Sequence, residues 1–319
     1  MTFPDQLKEE WGGKRYNSFN RVLRNRFGTK VHKVSLRTDF TCPNRDGGVA
    51  VGGCIYCNNN GHTPVNYRPG ISVREQMARG IESIAQRHGA GKFIAYFQSY
   101  SNTYGTTRKL EQLYSEVLEF PEVVGLAIAT RPDCLPDDVL NLIADIARTR
   151  YVWLEIGLES MTEETLRWTN RGHGVGEFLD ACERSKARGL QICVHLILGF
   201  PTDTEEDSRQ TPGRLSALGV DGVKLHNLHV IRHTVLERLY REGKVPLLSQ
   251  DAYIAQVASF LELLSPSMII HRLTGQTSRK LTVAPAWSTK KFGTLNRIEQ
   301  TLEQNDLWQS RLYPRVGIT

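Results

Sequence analysis

The chain has 319 residues, 40% of them apolar, and 40 Lys and Arg against 34 Asp and Glu give a net charge of +6. That apolar share supports a sizeable core, and the absence of any run of eighteen apolar residues excludes a transmembrane helix. One large domain with an extension is the expected organisation, and excess positive charge is compatible with nucleic acid or another anionic partner without selecting either.

The Met1–Glu10 start is polar and lacks a signal-peptide pattern, so a cytoplasmic chain with reduced thiols is expected. In residues 1–30, Tyr16, Phe19, Val22, Leu23 and Phe27 recur at roughly helical spacing among Arg15, Arg21, Arg24, Arg26 and Lys30. This predicts an amphipathic helix packed on the core, whose basic face could also touch RNA. Val31–Leu36 reads as the first strand. Directly after it, Cys42, Cys54 and Cys57 form a C-x11-C-x2-C pattern. Thiolate is a soft ligand, and two cysteines separated by two residues can grip one metal or one cluster. A structural zinc site wants four ligands, and His62 is the candidate fourth. An iron–sulfur cube has four irons, so three thiolates leave one iron free. Gly47, Gly48, Gly52 and Gly53 suit a loop that wraps closely around such a group. Cys134, Cys182 and Cys193 are scattered singly and read as small buried hydrophobes.

Helices and strands then alternate. Helices are predicted at Ile71–Arg87, Thr107–Glu119, Pro136–Arg148, Thr162–Thr169, Gly176–Ala187, after Thr204, and at Val235–Arg241, Asp251–Leu264 and Leu295–Gln304. Strands are predicted at Lys92–Gln98, Val123–Ala129, Val152–Leu158, Gln191–Leu198 and Gly222–Val230, with a last β-like run at Met268–Leu273. The strands are near-continuous apolar runs, as in parallel sheets buried on both faces. Six strand–helix units imply a parallel α/β barrel, open or closed, with its site at the carboxyl ends of the strands. The only plausible boundary falls near Leu264–Pro266, separating a core at 1–265 from a C-terminal extension at 266–319.

Polar residues cluster at those strand ends: Gln98 and Ser99, Thr130 and Arg131, and Glu159. Glu155 and Glu159 share parity along their strand, and an acid in an apolar strand is costly to bury without a partner. His195 reads either as a satisfied core histidine or as a site residue facing the same interior. His226 and His229, three apart in one strand, are placed on opposite faces and so do not form a metal pair. Lys290 and Lys291 beside Trp287 could contact phosphate while the ring stacks on a base, or form an ordinary loop before the last helix. The sequence does not choose there, nor for the N-terminal arginines.

A three-cysteine loop after the first strand, ending Cys54-Ile55-Tyr56-Cys57, resembles that of the radical S-adenosylmethionine (radical SAM) enzymes. The wide first gap departs from the usual C-x3-C-x2-C and is similar to the YhcC/YtqA-like subgroup, related to the radical SAM domain of the Elongator catalytic subunit. The resemblance runs from about Asn17 to about Trp308. It implies a partial (β/α)6 barrel with a short C-terminal extension. It also implies that Cys42, Cys54 and Cys57 hold three irons of a [4Fe–4S] cluster whose fourth iron binds the amino and carboxylate groups of SAM. One electron then breaks the sulfonium bond, and the deoxyadenosyl radical abstracts hydrogen from the substrate. The family's Gly-Gly-Glu turn, which holds the SAM amino group, is replaced here by Gln98 and Ser99. Gly157-Leu158-Glu159-Ser160 resembles a strand end whose acid contacts the ribose or amino group of SAM. Asn170-Arg171-Gly172-His173 resembles an element whose arginine pairs with the SAM carboxylate, and Gly199-Phe200-Pro201 one that lies against the adenine. Thr130, Arg131 and His195 join these as candidate SAM contacts. Kinship with the Elongator subunit implies tRNA as substrate, with trimming of a five-position side chain on wobble uridine such as carboxymethylaminomethyl to aminomethyl. It implies a reductant such as flavodoxin or ferredoxin. Without an acetyltransferase domain, the chain is not expected to be a complete Elongator-type enzyme. The alternatives are a small-molecule substrate such as a porphyrin precursor, or a zinc-stabilised RNA-binding protein without catalysis.

Overall fold

The computed structural model describes residues 2–58, 70–276 and 278–314. His62 therefore lies outside the described residues. Two short helices, α1 (Asp5–Glu10) and α2 (Phe19–Phe27), precede β1 (Val31–Leu36), and the cysteine loop holds a single helical turn, α3 (Pro43–Asp46). Next come α4 (Val73–His88), β2 (Lys92–Phe97), α5 (Thr107–Leu118), β3 (Val123–Thr130), α6 (Asp137–Ala147) and β4 (Tyr151–Glu159). The chain continues through α7 (Glu163–Trp168), α8 (Val175–Ala187), β5 (Gln191–Leu198), α9 (Glu205–Ala217), β6 (Gly222–Asn227), β7 (Val230–Ile231) and α10 (Val235–Arg241). It ends with α11 (Gln250–Glu262), β8 (Ile269–Arg272), β9 (Thr282–Ala284) and α12 (Lys291–Gln304). Helix starts follow local chemistry: Ser72, Thr106, Thr204, Thr234 and Ser249 each accept a backbone N–H of the first turn.

Seven strands form one parallel sheet in the order β1-β2-β3-β4-β5-β6-β8, curled into a partial barrel, while β7 and β9 pair antiparallel beside it. Six were expected. The seventh is the run at Met268–Leu273, which pairs Gly222 with Ile269 and Lys224 with Arg272. Its apolar pattern is short and broken by His271 and Arg272, so it carries a weak strand signal. The sixth strand also stops sooner than its apolar run, at Asn227.

Alternation along each strand builds two cores. In β2, Phe93, Ala95 and Phe97 face the helices. Ile94 and Tyr96 face the barrel interior with Ala127, Ala129, Trp153 and Cys193. Both faces are covered, which is why the strands read as continuous apolar runs. α2 plugs the amino-terminal end of the barrel: Phe19 meets Trp153 edge-on at 5.6 Å and stacks on His271 at 3.9 Å. The buried Gln309 seals this floor. Its N–H donates to Arg15 O at 2.9 Å, its amide donates to Ser265 O (2.6 Å) and Met268 O (2.8 Å), and its Oε1 accepts from Asn17 N (2.9 Å). Of the N-terminal arginines, Arg15 is paired with Asp306 at 2.5 Å and Arg26 lies over the Tyr151 ring at 4.7 Å. Trp287 is packed, donating to Leu248 O at 3.1 Å and lying 5.2 Å from Tyr253, so its ring is not presented to a base. Among the described residues no helix is long and apolar enough to cross a membrane.

Candidate active site at the carboxyl ends of the strands

The cysteine loop owes its shape to backbone turns and to two docking partners, one of them α10, whose Leu236 N donates to Ile55 O at 2.8 Å. Cys42 caps α3, Gly47 leaves it at φ +94°, and Val49 N donates back to Pro43 O at 2.7 Å. The loop docks on the link between α7 and α8. Asn44, fully buried, donates to Asn170 O at 2.6 Å, Asn170 donates to Gly53 O at 2.9 Å, and Ile55 N donates to Thr169 O at 3.0 Å. A Cβ on Gly172, itself at φ +75°, would lie 2.4 Å from Asn44 Oδ1, so only glycine lets the two segments meet. Cys54 is buried, and Cys42 and Cys57 are half-buried. Arg171 Nη1 lies 3.5 Å from Cys54 Sγ, and Arg45 Nη1 lies 3.9 Å from Cys57 Sγ. Burial, then the neighbouring Cys54, push the Cys57 thiol up to about 12 against the opposing pull of Arg45.

All three cysteines open onto one cavity of about 220 Å³. Gln98 and Ser99 after β2, Thr130 and Arg131 at the end of β3, Glu159 at the end of β4, Arg171, and His195 on β5 line the same space. Ser35 Oγ donates to Gln98 Oε1 at 3.1 Å, and Thr130 shares a 2.5 Å hydrogen bond with Thr103. Arg131 is fully engaged: it grips Asp133 through Nε (2.8 Å) and Nη2 (2.6 Å) and donates to Arg171 O at 2.7 Å. Arg171 donates to Gly157 O at 2.5 Å and pairs with Glu159 at 3.4 Å. A Cβ on Gly157 would lie 2.7 Å from both Arg171 Nη2 and Glu159 Oε1, so this glycine admits the pair. Burial raises the Glu159 carboxyl, with Arg171 and Arg131 opposing. The parity argument meets a slip here: the pairing with β5 shifts between Gly157 and Glu159, and Glu159 sits at φ +77°, rare for a side-chain-bearing residue. Both Glu155 and Glu159 nevertheless line the cavity.

Deeper in the barrel lies a charged cluster. Glu155, wholly buried, accepts from Lys33 Nζ at 2.6 Å, pairs with Lys224 Nζ, and is bonded to His195 Nε2 at 3.0 Å. Lys224 also donates to Tyr96 Oη at 3.1 Å. Burial alone would raise the Glu155 carboxyl, but Lys224, Lys33 and His195 outweigh it and hold it well below the usual range. Burial and Lys224 bring His195 down to about 4, so its imidazole is neutral at pH 7. His226 and His229 both line the cavity. The expectation of opposite faces fails because the strand ends at Asn227, before His229. Lys33, Tyr96 and Arg272 went unnoticed in the sequence. The available signal was weak: a cation recurring inside otherwise apolar strands.

The fold and this cavity define a class. Residues 44–211 match the model of the radical SAM superfamily and residues 220–304 that of the radical SAM C-terminal domain. The chain belongs to the radical SAM superfamily, and as such it is an enzyme that binds a [4Fe–4S] cluster and SAM. Over 95% of its length it is 36% identical to YtqA of Bacillus subtilis (strain 168), of which it covers 94%. Over 57% of its length it is 31% identical to Elongator complex protein 3 of Schizosaccharomyces pombe, of which it covers 36%. The structure of the archaeal Methanocaldococcus infernus Elp3 with an N-terminal deletion (1–46) shares the fold, with a TM-score of 0.63 and 18% identity over 88% of this chain and 64% of that one.

The donor set fits the implied groups. Ser99 Oγ and Arg171 Nε are buried polar atoms facing the cavity without a partner among the described residues. Groups left so are costly unless a ligand satisfies them. Among the described residues, no three His, Cys, Asp or Glu side chains converge to hold a single metal ion. A cube takes one thiolate at each of three iron corners, which asks for a wider spread than a bare ion does.

Proposed function

We propose that the chain holds a [4Fe–4S] cluster on Cys42, Cys54 and Cys57, binds SAM in the adjoining cavity, and remodels the five-position side chain of wobble uridine in tRNA, carboxymethylaminomethyl to aminomethyl. The carboxymethyl CH2 would give up a hydrogen atom to the SAM-derived fragment and one further electron and proton, the electron returning to the bound cluster. Water would hydrolyse the resulting imine, releasing the two carbons as glyoxylate. The observation that carries this reading is the opening of all three cysteines onto the one cavity that the strand-end residues line. The partial match to Elongator complex protein 3 supports the choice of tRNA. When bound and reduced, the cluster supplies the electron that cleaves SAM to methionine and a deoxyadenosyl radical.

The protein's own side chains bind, orient and exclude. Ser99 Oγ and the Gln98 amide offer hydrogen bonds to the methionine end of SAM. Glu159 faces its amino or ribose groups, and Arg171 spans Cys54 and Glu159, placing a cation between a cluster ligand and the SAM carboxylate. Thr130 and Arg131 stiffen that wall, and the neutral His195 can donate or accept without adding charge. Ile197, Leu228 and Ile231 give the cavity an apolar side that keeps water from the reacting atoms. A one-electron donor such as flavodoxin or ferredoxin is the second partner, and the site of action is the cytoplasm.

The test is made on anaerobically purified protein. About four irons per chain, and deoxyadenosine formed from SAM and dithionite, are expected for the wild type. Cys54→Ala loses both; zinc in place of iron, with no deoxyadenosine, overturns the reading. For the substrate, nucleoside mass spectrometry of tRNA from a deletion strain should show carboxymethylaminomethyl uridine accumulating. An unchanged wobble profile refutes the tRNA assignment and leaves the reaction class standing.

A further inference from the structure

Beyond the SAM contacts assigned above, the β6–β8 side of the cavity is basic. Lys224 on β6 and Arg272 on β8 are register partners in neighbouring strands. Lys33 and Lys224 share the single carboxylate of Glu155. Arg272 lines the cavity and makes no ion pair or hydrogen bond among the described residues. Glu159 is engaged elsewhere, by Arg171. Three cations thus face one acid. Their surplus positive potential leaves its mark on the neighbours. After burial, Arg272 is the next cause holding His226 well below its usual range, and Lys33 is the next for His271. Burial, with Lys33 and Arg272, outweighs Glu155 and brings Lys224 down to about 7. His226 Nε2, on the same wall, is a buried polar atom without a partner among the described residues.

Surplus charge of this kind inside a barrel is expensive unless an anion arrives to share it. A guanidinium offers a planar fork that matches an oxyanion bidentately. We propose that Arg272, backed by Lys224 and His226, forms an oxyanion subsite that seats a carboxylate of the substrate on the β6–β8 side of the cavity. The subsite rests on the tRNA reading above and assigns the residues that recognise the acid to be removed. It makes the acidic group a requirement for productive binding, so the reaction product, lacking it, is released.

The experiment titrates the anaerobically reconstituted, SAM-loaded full chain with an anticodon stem–loop RNA. One RNA carries 5-carboxymethylaminomethyluridine at the wobble position, the other its methyl ester. The acid should bind wild type about ten-fold more tightly than the ester. Arg272→Gln should abolish that preference by weakening the acid alone, and Arg272→Lys should restore part of it. Thermal melting of both variants establishes that they are folded. Equal weakening of acid and ester in Arg272→Gln would identify an RNA phosphate as the oxyanion and overturn the carboxylate assignment. A fall in SAM affinity with the preference for acid kept would identify the SAM carboxylate and overturn it too. If wild type binds neither RNA, the tRNA reading fails, and the same comparison on the free nucleosides judges the subsite. Acid-selective binding lost in Arg272→Gln sustains it, and absence of selectivity overturns it.

Discussion

Glu155 holds the interior together by being the one acid among cations. Glu155→Gln leaves the Lys224 ammonium, 4% exposed, without its counter-charge. Breaking a buried pair from one side costs about 3–5 kcal/mol, with the more exposed Lys33 contributing little of it. A lower denaturant midpoint with an unchanged slope would record this loss. The same cluster sets an acid limit. His195 falls from 6.5 to about 4 on folding, so between those values the unfolded chain binds the proton and stability declines as pH falls. Glu155 is held below its ordinary 4.5, so its contribution is present above that value and is lost as pH drops further. Melting temperature should therefore decrease steadily below pH 6.5. His195→Asn should remove one share of that decline, while His226 and His271, likewise held below their usual range, keep the rest, and a flat wild-type profile from pH 7 to 4 would contradict the protonation states assigned here.

At the scale of elements, the end of β4 decides the geometry of the site. Gly157→Ala places a methyl 2.7 Å from Arg171 Nη2. The arginine can swing aside, so the fold should survive while the contact with Cys54 loosens. On the proposed ligation by Cys54, a cluster that loses a donor to one of its thiolates would sit at a lower midpoint potential. Potentiometric titration followed by electron paramagnetic resonance would measure it, and an unshifted potential with full iron content would show that Arg171 does not act on Cys54. The elements themselves were legible from local pattern: β1 and β5 were read at the bounds they have. β8 was read as a β-like run at Met268–Leu273 but not counted among the strand–helix units, because four residues ending in His271 and Arg272 carry too little apolar pattern to show what they pair with. Gln98 and Glu159, singled out at strand ends, and Arg171, between α7 and α8, all line the cavity. Lys33 escaped notice because β1, with its alternating polar residues, reads like a half-exposed strand. The partner of Lys33, Glu155, lies 122 positions away. Spacing within a segment cannot report such a pairing.

Across the whole molecule, closure depends on both ends of the chain meeting under the barrel. Gln309 is fully buried and ties two segments, 15–17 and 265–268, to its own. Gln309→Ala leaves Asn17 N, Ser265 O and Met268 O short of a partner, a loss of about 2–3 kcal/mol. Thermal unfolding should move down by several degrees. An unaltered midpoint would mean that solvent replaces the amide and that the floor is open. This floor also imposes an order of events. Asn17 meets Gln309 across 292 positions. A nascent chain cannot make that contact until Gln309 itself has left the ribosome. The cysteine loop docks on the stretch around Asn170 and on α10, where Leu236 N donates to Ile55 O at 2.8 Å, so it can form before the segment that carries Gln309 is made. Growing chains would then display a formed thiol loop above an unsealed barrel, so iron–sulfur assembly factors can reach the loop before Gln309 closes the floor.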